Sequence, residues 1–174
     1  METIYDSAQL MTSILRFLQF LALGIWLGGI VFLSFVEAPG VFSILASREQ
    51  AGSIVGYSLT RLHYIGIAAA IIYTLAALLL AKSPKVLAQP AAILVGLMLV
   101  LTLVSEFGVR PRMAVLREQM DSFASTAPAQ VQDSIVADSA RAKFDRLHRA
   151  SVQLEAATLL IGLAALFLTA RKPN

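Results

Sequence analysis

The chain has 174 residues, 57% of them hydrophobic and 14% charged, with mean hydropathy +0.74 and a formal charge of +3. Soluble domains carry roughly 45–50% apolar and about 25% charged residues, so the excess here calls for lipid as a second apolar solvent beside the core. The basic residues are scattered rather than gathered into a stripe, which argues against a nucleic-acid partner, and the lack of cysteine excludes disulfides, thiolate metal sites and cysteine nucleophiles.

Residues 17–36, inside the stretch RFLQFLALGIWLGGIVFLSFVEAP, carry no charge. They match the ~20 residues needed to cross a hydrocarbon core of ~30 Å. The run is too long for a secretion signal and no small-residue cleavage site follows it, so a retained helix is expected. Gly24 and Gly28 form a G-x-x-x-G pair there, with Gly29 beside it and Trp26 between. Two missing side chains on one face let another helix approach, with packing inside a bundle as the expected use and a dimer seam as the alternative.

A second span is expected over 64–81, ending at KSPK, where Lys82 and Lys85 reach the headgroups and Pro84 stops the helix. The third, 91–109, follows Pro90, a good first helical residue, and its end is placed at Arg110, which Pro111 disfavours from helical geometry. The fourth, 152–170, closes on Arg171 and Lys172, cations suited to a helix C-terminus. Between the third and fourth lies a connection over 111–150, rich in helix formers, with Ile135, Phe144 and Leu147 set among charges. It reads as helical extensions of helices three and four around a turn in SFASTAPAQ, residues 122–130.

The expected fold is therefore all-α: a single domain over 1–174, an antiparallel four-helix transmembrane bundle with both termini on one side. The face with the two longer connections holds nine of the Lys and Arg residues and the terminal face five, which favours cytoplasmic connections and termini outside the cytoplasm. Placing Arg61, Arg110 and Arg149 in a buried network would cut that margin to six against five.

Because successive helices alternate in direction, Glu37, Arg61, His63, Glu106, Arg110, His148, Arg149 and Glu155 are all expected near one membrane face. His148, Ser151, Glu155 and Thr158 follow steps of three and four and make one polar stripe, while Glu106 and Arg110 have the spacing of an ion pair on one helix. An ionisable group away from water costs about 2.5–3.5 kcal/mol on insertion scales, so such groups pair or line a wet cavity. Glu37, Arg61, His63, Glu106, Arg110, His148, Ser151 and Glu155 are the expected polar site, with Glu155 first among them. Interfacial anchoring by snorkelling side chains is the plainer use of the same residues. His63 and His148 are the residues a haem iron or divalent metal would use, although they lack a tight ligand spacing such as H-E-x-x-H.

The stretches ALGIWLGGIVFLSFVEAPGVF, AGSIVGYSLTRLHYIGI and FDRLHRASVQLEAATLLIGL resemble bacterial members of the transmembrane protein 205-like family, a domain of unknown function (DUF4149). The motif positions that carry the resemblance are Trp26, Gly28, Gly29, Pro39, Arg61, His63, His148 and Ser151. It implies a four-helix integral protein, here of a bacterial inner membrane, without an established biochemical activity. A second likeness, to copper-resistance membrane domains and a membrane haem protein that oxidises protoporphyrinogen, implies a histidine early in helix one, where this chain has Gln19. Three functions are expected in turn. The first is a non-enzymatic bundle, without a cofactor, whose polar layer binds or passes a small solute, metal ion or proton. The second is a haem-binding membrane oxidoreductase, and the third a membrane assembly partner docking through its extension.

Overall fold

The computed structural model describes residues 2–125 and 131–171, with side chains described for 7–120, 122 and 138–171. Most of the turn expected over 122–130, the Ile135 side chain and Lys172 lie outside the described residues. Every described element is helical, and four helices are long and apolar enough to cross a membrane.

The first is a continuous rod in three parts: α1 (Glu2–Phe32), a π-helical segment (Leu33–Glu37) and α2 (Ala38–Ile44). The second, α3 (Arg48–Ala81), starts at Ser47, whose Oγ accepts from the Gln50 amide at 3.3 Å. Capping by serine satisfies one of the orphan donors of a first turn. This helix begins well before the apolar run, so Arg61 and His63 lie in its interior rather than at its start. It ends as Lys82 turns into the left-handed region (φ 48°) and donates its amide to the Leu78 carbonyl at 2.9 Å. A short 3-10 turn (Pro84–Ala88) leads to α4, which begins at Pro90.

α4 (Pro90–Leu103), a second π segment (Val104–Val109) and α5 (Arg110–Ser125) again form one rod. Arg110 was the expected helix end, yet it is helical (φ −55°, ψ −49°) and the chain continues through Pro111. The physical reason recurs at both π segments. Pro39 and Pro111 each stand two residues beyond one, and a proline inside an α-helix lacks a donor and presses on the carbonyl four residues back. A π turn shifts the hydrogen bonds by one residue, which widens the helix where that clash would fall. The prolines thus reshape the helices instead of stopping them. The last element, α6 (Val131–Ala170), joins the expected extension and span without a break.

α1 packs on α3 and α6, and α4 packs on the same two, so α3 and α6 face one another across the bundle centre. Leu23, Trp26, Ile30, Ala69, Tyr73, Val95, Met98 and Ala165 fill that centre. Glycine decides three of the close approaches. A methyl at Gly66 would overlap the Trp26 indole, one at Gly162 would meet Leu27 and Met98, and one at Gly29 would meet Leu62. Gly24 and Gly28, expected to admit a neighbour within the bundle, instead have nothing within 4 Å of a built Cβ. Their face of α1 points outward, and the adjoining Gly29 makes the contact.

Phe17, Ile25, Phe32, Ile72, Leu79, Leu97, Val100, Leu160 and Phe167 are exposed, so all four rods present large apolar side chains outward. Such a belt far exceeds the isolated apolar patches of a water-soluble monomer and is the surface that bilayer lipid covers.

Candidate functional site

Toward the end of the bundle where α5 and the α6 extension continue, three rods each contribute an ionisable side chain to its interior. α3 supplies His63, only 1% exposed, because Leu62, Gly66, Ala69 and Ala70 fix the face that this helix turns inward. The π segment of the third rod supplies Glu106, 7% exposed, next to the fully buried Ser105. α6 supplies Glu155, one turn along from the buried Ser151 and one before the buried Thr158, whose hydroxyl donates to the Leu154 carbonyl at 2.9 Å.

The imidazole joins them. His63 Nδ1 shares a 2.7 Å hydrogen bond with Glu106 Oε2, and His63 Nε2 shares a 2.6 Å hydrogen bond with Glu155 Oε1. Arg110 Nη1 donates to the other oxygen of Glu106 at 2.7 Å, completing the pair that the spacing suggested. The Arg110 side chain is 35% exposed and that of Glu155 13%, against 2% for His63 and 6% for Glu106. The network therefore touches the surface at both ends and is closed in the middle.

Proton counting follows from these contacts. An N···O distance of 2.6 or 2.7 Å between an imidazole nitrogen and a carboxylate oxygen requires one hydrogen in each contact. A neutral imidazole brings one hydrogen, so either the ring is doubly protonated or one carboxyl is protonated. In either case the charges of Glu106, Glu155, His63 and Arg110 sum to zero.

The remaining expected site residues are placed differently. Arg61 is exposed, with its guanidinium 5.0 Å from the Tyr57 ring centroid. His148 is exposed and stacks on Phe144 at 6.4 Å. Glu37 is half-buried on the first π segment and makes no hydrogen bond or ion pair among the described residues. Ser151 is buried on the stripe that carries Glu155. For the metal and haem expectations, His63 has both ring nitrogens engaged and its two carboxylates lie at opposite edges of the ring, so they do not converge on a point. Among the described residues no group of three His, Asp or Glu side chains is arranged to hold a metal ion.

Three polar features escaped sequence reasoning. Ser105 Oγ is buried without a hydrogen-bond partner among the described residues. Nearer the opposite end of the bundle, Tyr73 Oη and Thr169 Oγ1 lie 2.9 Å apart, joining α3 to α6 a second time. Thr169 gives its hydroxyl hydrogen to the Ala165 carbonyl at 2.8 Å, so Tyr73 is the donor. Their hydroxyls were the available signal, but single polar groups in apolar helices do not name their partners.

Outside the bundle α5 packs along the α6 extension. Arg117 ties this pair to the start of α3, donating to Ser53 Oγ at 3.2 Å while its guanidinium lies 5.6 Å from the Phe144 ring centroid. A groove of about 530 Å³ between α5 and α6 is lined by Pro111, Arg112, Val115, Leu116, Lys143, Arg146 and Leu147.

Four apolar rods closed around an ion-paired interior define an integral membrane protein of the all-α helical-bundle class. Residues 21–122 match the family model described as domain of unknown function (DUF4149), more than half of the chain, and the protein belongs to that family. The matched region holds His63, Glu106 and Arg110 and ends before Glu155. No curated protein and no solved structure matches the chain.

Proposed function

We propose that this membrane protein is a non-enzymatic bundle whose ionisable core, at one membrane face, binds or passes a small solute, metal ion or proton. The observation that carries this reading is the bridging of two carboxylates from different rods by one imidazole, at a depth where an uncompensated charge is costly. A packed interior needs no such group for stability, since well-fitted apolar side chains do as well or better there. Glu155 and Arg110 are partly exposed, so the network reaches the surface at these two side chains.

A haem-dependent oxidoreductase would need a ring nitrogen directed at iron, whereas His63 has none free and His148 lies exposed beside Phe144. The favoured location is a bacterial inner membrane with the termini outside the cytoplasm. With Arg110 committed to Glu106, eight of the nine basic residues on the side of the longer connections remain to be counted against five.

The test is flux into proteoliposomes under imposed ion and pH gradients. Wild-type protein should dissipate at least one gradient, and Glu155→Gln and Glu106→Gln, with helicity unchanged, should slow it at least tenfold. Equal leakage from wild-type, variant and protein-free vesicles would refute the reading.

A further inference from the structure

We propose that the ion handled by this core is the proton, loaded at the contact between Glu155 and His63 Nε2, with Glu106 and Arg110 serving to hold the imidazole in one tautomer. This rests on the reading of the core as an ion site and goes further by naming the particle and dividing the roles.

Size is the first argument. The 2.6 and 2.7 Å contacts leave room between nitrogen and oxygen for a hydrogen and nothing larger. A bound metal would need its ligands to converge around it at roughly 2 Å each, and the carboxylates flank opposite edges of the ring.

The asymmetry of the two carboxylates supplies the second. Glu106 accepts from Arg110 through one oxygen and meets Nδ1 through the other, so its negative charge has a permanent cationic partner. Glu155 has no partner besides Nε2 among the described residues. Among the described residues the first rod brings no partner for it: its buried side chains at this end, Ile30 and Leu33, are apolar, and Glu37 makes no hydrogen bond or ion pair. The compensated arrangement therefore keeps a hydrogen on Nδ1, donated to the Glu106 carboxylate. A carboxylate that orients a histidine through one nitrogen leaves the other for exchange.

The exchanging contact is also the one nearer the surface, the Glu155 side chain being about twice as exposed as that of Glu106 (13% against 6%). Proton movement there balances simply. The hydrogen passes from the Glu155 carboxyl oxygen to the Nε2 lone pair, converting a neutral imidazole and carboxylic acid into imidazolium and carboxylate. Return of the proton restores them, and no electrons are exchanged. Glu106 and Arg110 are positioning residues, and Glu155 and His63 carry the proton.

Infrared difference spectroscopy of the full chain in lipid, through an acid step, tests the assignment. Wild-type protein should show a protonated-carboxyl band that disappears in Glu155→Gln and persists in Glu106→Gln, since glutamine still accepts from Nδ1. Flux measured in parallel should continue when every metal cation is replaced by a bulky organic one. A band that survives Glu155→Gln but is lost in Glu106→Gln, a band absent from wild-type, or flux that requires a metal cation would overturn the proposal. The two readings separate cleanly. A Glu155 band without flux would sink the transport reading and leave the proton site standing, whereas flux without that band would do the reverse.

Discussion

Replacing His63 with leucine removes the one side chain that touches both carboxylates. His63 and Glu106 have side chains 2% and 6% exposed, and Glu155 is 13% exposed, so neither acid can recover full hydration where it stands. Breaking a buried charged pair by deleting one partner costs about 3–5 kcal/mol, because the remaining charge is left uncompensated. Here Arg110 still serves Glu106, so most of the loss falls on Glu155, and a value near the lower end, about 3 kcal/mol, is expected. The same physics predicts rescue. In His63→Leu/Glu106→Leu/Glu155→Leu no buried charge is stranded, Arg110 can turn to water from its partly exposed position, and stability should return to within ~1 kcal/mol of wild-type or exceed it. Reversible unfolding in mixed detergent micelles, followed through the fluorescence of Trp26, the chain's sole tryptophan, measures both. A single substitution costing under ~1 kcal/mol, or a triple variant as unstable as the sum of its parts, would refute the coupling.

Other substitutions probe the packing. Gly66→Ala sets a methyl into the Trp26 indole and should cost about 1–3 kcal/mol in the same assay, with a shifted emission maximum. Tyr73→Phe removes the hydrogen donated to Thr169 and should cost about 1 kcal/mol, Thr169 remaining satisfied by Ala165. Gly24→Leu/Gly28→Leu fills open space on the outer face of α1 and should change stability by less than ~0.5 kcal/mol; a large loss, or a change in sedimentation, would place a helix against that face.

Hydropathy alone carried the reading of four apolar helices, because lipid imposes a long uncharged run on any helix that crosses it. It did not carry their ends. Pro111 reads as a stop, and only the π segment before it shows how the chain passes through, as it does at Pro39. Register was the other obstacle. Arg61 and His63 are two residues apart and so project about 200° apart around a helix, which means that one of them must face away from the interior. The sequence marks both as polar near one membrane face, and the small and apolar side chains of Leu62, Gly66 and Ala70 decide that His63 turns inward. His148 stands on the same stripe as Ser151 and Glu155 but lies on the α6 extension, where its side chain is exposed and stacks on Phe144. The pairing of Glu106 with Arg110 needs only local spacing, and that much could be read directly.

The bridge itself can be measured in lipid by dipolar recoupling between 15N-labelled histidine and 13C-labelled glutamate carboxyls, in a His148→Gln background that leaves His63 as the single histidine. Both ring nitrogens should show close carboxyl neighbours, consistent with N···O contacts of 2.7 Å at Nδ1 and 2.6 Å at Nε2, and Glu155→Gln should remove the neighbour at Nε2 alone. An imidazole with no carboxyl near either nitrogen would contradict the account at its centre.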